Sequence, residues 1–189
     1  MDRIHTANQP IGPFFHFALT PDNSAGVMAG PQARGERVRL SVRVLDRDAK
    51  PVTNAMIELW QADAAGKYNH PADTQPKTPD PDFNGFGRLA SDDDGLCVFE
   101  TVKPGQVPGM EGKPQAPHIN VSVYATGVLR RLVTRIYFAG EPSNESDGVL
   151  ALVPENRRGT LLARPGAESG AWHFDLYLSG PCETVFFDI

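Results

Sequence analysis

From residue 37 to residue 44 the side chains alternate. Val38, Leu40, Val42 and Val44 interleave with Arg37, Arg39, Ser41 and Arg43. A period of two predicts a strand with one buried and one wet face. Further apolar and β-branched runs predict strands at 55–62, 95–102, 119–125, 132–138, 172–178 and 183–187. The breaks carry turn residues: Asp46-Arg47-Asp48, Asp93-Asp94-Gly95, Lys103-Pro104-Gly105 and Ser179-Gly180-Pro181. Helical candidates are short, at 148–152 and 155–163, and Arg157-Arg158-Gly159 weakens the second. This pattern predicts an all-β fold, an antiparallel β-sandwich with long loops and an extended N-terminal segment.

Two stretches exceed a minimal sandwich. Residues 1–35 form an N-terminal arm, rich in Pro and Gly, ahead of a sandwich domain at 36–189. The arm is not a plain tail, because Ile11-Gly12-Pro13-Phe14-Phe15-His16-Phe17 is strongly apolar. Three exposed Phe would be an association hazard, so this segment is expected to pack on the domain or on a partner chain. Residues 63–94 lack any periodic pattern. Loops beyond about 12–15 residues are usually functional or disordered. Tyr68, His70, Phe83 and Phe86 predict an ordered, packed loop here.

A chain of 189 residues suits one domain with a sizeable core. Lys and Arg total 18 against 23 Asp and Glu, a net charge of −5, which disfavours a polyanion partner. No run of about 20 apolar residues predicts a membrane span. Met1-Asp2-Arg3-Ile4-His5 lacks the apolar stretch of a secretory signal, so a cytoplasmic location is expected. Cys97 and Cys182, with no CxxC spacing, read as two free thiols.

Histidine is scarce: His5, His16, His70, His118 and His173. His173-Phe174-Asp175 would put His and Asp on one strand face, two legs of a two-His-one-carboxylate iron site. No His follows Asp175 to complete it, so a polar strand face is expected. Asp92-Asp93-Asp94-Gly95 lacks the spacing and closing Glu of an EF-hand and reads as a turn. No GxSxG elbow, phosphate-cradling Gly loop or HExxH motif occurs.

A series of segments remains. Glu58-Leu59-Trp60-Gln61-Ala62-Asp63-Ala64-Ala65-Gly66-Lys67-Tyr68 leaves a strand and delivers a Tyr. Phe83-Asn84-Gly85-Phe86-Gly87-Arg88, Thr101-Val102-Lys103-Pro104-Gly105 and Ala116-Pro117-His118-Ile119-Asn120 follow in order. Together they resemble the intradiol ring-cleaving dioxygenases, in particular the protocatechuate-cleaving group. The resemblance extends from Gly12-Pro13 to Thr184-Val185-Phe186-Phe187-Asp188.

The resemblance implies a ferric ion held by two Tyr and two His. Phenolate is a hard anionic donor that suits Fe(III), and imidazole completes the set. Tyr68 matches the first Tyr and His118 the first His. Val107 stands near the place of the second Tyr, after Lys103-Pro104-Gly105, and Asn120 at the second His. Gln115 stands where the family has an Arg three residues before the first His. These departures imply a chain that binds no metal and supplies no catalytic residue. The resemblance then implies a partner: an iron-bearing beta chain that binds Fe(III), beside an alpha-type chain that keeps the fold. The pair would cleave 3,4-dihydroxybenzoate with dioxygen to 3-carboxy-cis,cis-muconate.

Carried over residue by residue, the substrate-binding candidates are Gly12, Pro13 and Arg135. The Gly12-Pro13 turn would reach the partner's pocket, with Phe14 where the family commonly has Tyr. Arg135 lies in Val133-Thr134-Arg135-Ile136-Tyr137, an apolar strand in which an Arg needs an anionic partner. That anion is a substrate carboxylate on the resemblance, or a structural acid on the plainer reading. Two other classes stay open: a self-sufficient dioxygenase with a metal site rebuilt from Tyr68, His118 and His70, and a β-sandwich binding module.

Overall fold

The computed structural model describes residues 14–53, 55–109 and 112–188. Ten strands form. They are β1 (Arg37–Leu45), β2 (Ala55–Trp60), β3 (Phe86–Ala90), β4 (Leu96–Val102), β5 (Val107–Pro108), β6 (Pro114–Gln115), β7 (His118–Ala125), β8 (Leu132–Phe138), β9 (Leu162–Pro165) and β10 (Ala171–Tyr177). Two short helices, α1 (Phe14–Leu19) and α2 (Glu155–Arg158), complete the regular structure together with single 3-10 turns.

Eight strands make one sheet in the order β3-β2-β7-β8-β9-β10-β1-β4, while β5 and β6 pair separately. The alternation of β1 is realised: Val38, Leu40, Val42 and Val44 are buried, whereas Arg37, Arg39 and Arg43 are exposed. One hydrophobic cluster collects inward residues of β1, β2, β4, β7, β8 and β10, so the sheet folds over a common core. Its two edges are drawn together by residues 27–29. Met28 N–H donates to Glu100 O of β4 at 2.8 Å, and Asn84 N–H, just before β3, donates to Met28 O at 2.7 Å. Met28, Ala29 and Ala33 are therefore core residues.

The expected antiparallel sandwich is corrected to a mixed, nearly closed sheet. β1 pairs with β10 in parallel, and β8 with β9. Parallel neighbours require long connections, and residues 139–161 supply one between β8 and β9. Alternation within a strand reports its faces and says nothing of its neighbour's direction.

Three elements differ from expectation for local reasons. β3 lies inside the stretch read as one long loop. Its inward position Gly87 has no side chain, and a Cβ there would sit 2.8 Å from Met28 Sδ. Met28 fills the space from the other side, so the apolar period of β3 is broken in the sequence. The second helical candidate yields only one turn, α2, then a 3-10 turn, then β9 from Leu162. Residues 183–187 form no strand, and only Phe187 bridges to Val133.

Other expectations hold. Asp92-Asp93-Asp94-Gly95 is a turn, with Asp92 Oδ1 accepting from Asp94 and Leu96 N–H and Gly95 at φ +71. His173 and Asp175 share the exposed face of β10. Cys97 is buried and Cys182 exposed, both free, and burial pushes the Cys97 thiol up to about 12. Among the described residues no helix is long and apolar enough to cross a membrane.

Candidate functional site

Several polar side chains gather where β2, β7 and β8 meet the long loop. Register places Asn120 opposite both Trp60 and Arg135, and His118 opposite Tyr137. Trp60, His118 and Arg135 form the strand wall of a cleft, with Asn120 and Tyr137 beside them in the register. The facing wall comes from the long loop, carrying Tyr68 and His70, and from the short strand β5, carrying Val107. The cleft measures about 540 Å³, within the usual range of small-molecule sites.

The loop wall is held by a buried framework. Gln61, at the end of β2, donates through Nε2 to Val102 O at 2.9 Å and accepts from Thr101 Oγ1 at 2.9 Å. Asp63 Oδ1 accepts from Ala65 and Lys67 N–H at 2.9 Å, and its Oδ2 accepts from Asp80 N–H at 3.0 Å. Lys67 Nζ lies 3.1 Å from Asp73 Oδ1, with side-chain exposures of only 7% and 8%. Asp73 Oδ2 accepts from Tyr68 N–H at 2.8 Å, which fixes the Tyr68 backbone. Donated hydrogen bonds outweigh desolvation and hold the Asp73 carboxyl at about 2. Gly66 adopts φ +75, and a Cβ there would sit 1.9 Å from Gln106 O. Gly105 likewise leaves room for Ala64 O. These two glycines let the Tyr68 loop and the Val107 loop meet backbone to backbone.

The strand wall rests on one buried acid. Asp147 Oδ1 accepts from Tyr137 Oη at 3.1 Å, Val149 N–H at 2.9 Å and Leu150 N–H at 2.7 Å. Its Oδ2 accepts from Ala116 N–H at 2.8 Å. Arg135 Nη1 donates to Gln115 Oε1 at 2.7 Å and to Tyr137 Oη at 3.3 Å. No carboxylate of the described residues lies within salt-bridge distance of Arg135. The structural acid expected for it is thus absent as a direct partner and acts at one remove, through Tyr137.

His118 is buried, and its Nδ1 lies 2.7 Å from Ala116 O. A carbonyl only accepts, so Nδ1 carries the proton and Nε2 keeps its lone pair. Burial, reinforced by the positive Arg135, pushes the imidazole down to about 4. The ring is neutral at pH 7. Tyr68 stacks on Trp60 with centroids 5.8 Å apart, and burial raises its phenol above the ordinary value. Asn120 Nδ2 donates to Trp60 O at 3.3 Å and reaches Tyr68 Oη at 3.5 Å. His70 is exposed at the rim, edge-on to Trp60.

The fold thus gathers the positions that the sequence singled out. Tyr68, Val107, Gln115, His118 and Arg135 line one cleft, and Asn120 touches Tyr68. Gly12 and Pro13 lie outside the described residues, as does His5. Sequence reasoning missed Asp147, Lys67 and Asp73. Asp147 sits in an irregular stretch with no spacing signal, and its role appears only when Tyr137 and Ala116 converge on it.

The donor set does not fit a ferric ion. It comprises one protonated phenol, one imidazole, an amide and an isopropyl group. Asn120 turns an N–H toward the phenol oxygen that would have to serve as ligand. No group of three or more His, Cys, Asp or Glu able to hold a metal occurs among the described residues.

The sequence profile of the Dioxygenase family matches residues 11–180. The chain is 39% identical to the protocatechuate 3,4-dioxygenase alpha chain of Burkholderia cepacia over 97% of each protein. It belongs to the intradiol dioxygenase family. The beta chain of the same enzyme from Burkholderia cepacia is 36% identical, over 91% of this chain and 74% of that one. A solved dioxygenase domain from a carbohydrate-binding fusion protein of Streptomyces sp. SirexAA-E superposes with TM-score 0.63 at 28% identity. It covers 92% of this chain and 97% of that one. In this member of the family, the cleft over β2, β7 and β8 is lined by Tyr68, Val107 and His118, with Asn120 next to Tyr68.

Proposed function

We propose that this chain is the alpha-type subunit of a protocatechuate 3,4-dioxygenase. It assembles in the cytoplasm with a beta chain that binds Fe(III). The pair cleaves 3,4-dihydroxybenzoate with dioxygen to 3-carboxy-cis,cis-muconate, a step of aromatic catabolism. The observation that carries this reading is the cleft, which Val107 lines beside Tyr68 and His118 while Asn120 reaches Tyr68 Oη next to it. Full-length similarity to an alpha chain supports it.

The chain supplies fold, interface and substrate contacts. The later part of its arm, residues 28–33, packs on the domain's own core, and the leading part reaches the partner, with the Gly12-Pro13 turn against the partner's pocket. Phe17 in α1 is 79% exposed, which suits a segment covered on assembly. Arg135 supplies a guanidinium for a carboxylate. Alone, the chain turns nothing over.

Co-production with a cognate beta chain tests this. Expected is one hetero-oligomer that cleaves 3,4-dihydroxybenzoate, with no turnover by this chain alone. Deleting residues 1–17 is expected to abolish assembly on size-exclusion chromatography. Turnover by the lone chain, or persistent separation of the two chains, refutes the proposal.

A further inference from the structure

We infer that a second pocket, between α2, β9 and β10, is a binding site for a small phosphate monoester, with the phosphate held by Arg157 and Arg164. This pocket shares no lining residue with the cleft over β2, β7 and β8. The inference does not depend on the subunit reading.

The cations decide the ligand's charge. The pocket measures about 470 Å³, and Asn156, Arg157, Arg164 and His173 lie on its walls. Arg164 pairs directly with His173 across β9 and β10, so the two side chains share one exposed face. Neither arginine has a carboxylate of the described residues within salt-bridge distance. Arg157 is anchored through Nη2, which donates to Glu183 O at 2.6 Å, while its Nε is buried without a partner among the described residues. A guanidinium short of acceptors favours an anion beside it. One acid, Asp175, lines the pocket, and Arg43 of β1 stands opposite it in register. The local balance is therefore positive.

The placement of the donors decides the anion's shape. Asn156 and Arg157 come from α2, Arg164 from β9 and His173 from β10. A planar carboxylate is satisfied by a single guanidinium fork. Donors reaching one pocket from three elements suit a tetrahedral group with three terminal oxygens, and two guanidinium charges match a phosphate dianion. Leu162, Tyr177 and Pro181 add apolar and aromatic surface to the same pocket. Inorganic phosphate would leave that surface uncovered, whereas the organic group of a monoester covers it. The ligand would be bound and not transformed.

Titration calorimetry on the full chain tests the inference, with glycerol 3-phosphate, phenyl phosphate, inorganic phosphate and succinate as probes. Expected is one saturable site per chain for both monoesters, with inorganic phosphate weaker and succinate at least tenfold weaker. Cys182 lines the same pocket and is exposed, whereas Cys97 is buried, so alkylation of Cys182 by iodoacetamide locates the ligand. A bound monoester is expected to slow that alkylation several-fold. Arg164→Gln removes an exposed guanidinium that holds no described residue, and is expected to weaken both monoesters at least tenfold. Arg130→Gln, at an exposed arginine paired with Asp188, is expected to leave them unchanged. Absence of saturable binding, or succinate binding as tightly as the monoesters, overturns the inference. So does binding that leaves Cys182 alkylation unslowed, or an Arg164→Gln variant that behaves like the unmodified chain or loses no more than Arg130→Gln.

Discussion

The two walls of the cleft are built on opposite principles. The strand wall takes its geometry from register: once β7 and β8 pair, His118 faces Tyr137 and Asn120 faces Arg135. Few extra contacts are needed beyond the Asp147 network. The loop wall has only the two-residue pairing of β5 with β6 at Val107 and none at Tyr68. It relies on a buried ion pair, side chains that satisfy backbone N–H groups, and two glycines at a backbone crossing. A scaffold strand tolerates change at one side chain because its hydrogen bonds remain. A loop held by a few buried polar groups fails when one of them is removed.

The sharpest break in this comparison is Gly66→Ala on the loop wall. The new methyl meets Gln106 O and demands a backbone conformation disfavoured for Ala. A loss of about 4 kcal/mol is expected, at the upper end for single substitutions. Thermal unfolding should register it as roughly 8–16 °C.

His118 provides the next largest effect, on the strand wall and through pH. Its folded value of about 4 lies below the ordinary 6.5, so the folded state prefers the neutral ring. That contribution is fully present above pH 6.5 and is lost as the pH falls toward about 4. Its size is at most about 3.5 kcal/mol. A His118→Asn variant should therefore lose less stability than the parent between those pH values. Parallel pH profiles would place the titration elsewhere.

Lys67→Met sharpens the loop side. It leaves Asp73 with its backbone donors but without its cation, at a cost of about 2–3 kcal/mol. The change in Tm should come with increased proteolytic cleavage near residues 68–76, while the strand wall stays protected in hydrogen exchange. Tyr137→Phe is the mildest test. It removes the hydroxyl between Arg135 and Asp147 and should cost about 1–2 kcal/mol. Loss of loop protection in this variant would contradict the independence of the two walls.

Legibility in the sequence follows the same division. β1 was readable because each inward position carries a β-branched or Leu side chain. β3 was not, because Gly87 yields its inward space to Met28, far away in sequence. The cleft's membership was legible by resemblance, down to the substitutions at Val107 and Asn120. Its support was not, since Asp147, Lys67 and Asp73 act through long-range or loop-internal hydrogen bonds that no period or spacing announces. The parallel pairings of β1 with β10 and β8 with β9 were hidden for a different reason: side-chain alternation is the same in either direction.

The most direct test of the central claim is the iron content and visible spectrum of this chain, purified alone after growth in iron-rich medium. Tyrosinate bound to ferric iron is strongly coloured, so the two readouts check each other. The account predicts a colourless protein with iron far below one per chain. A coloured protein with about one iron per chain would contradict it and would make Tyr68 and His118 ligands in a rebuilt site.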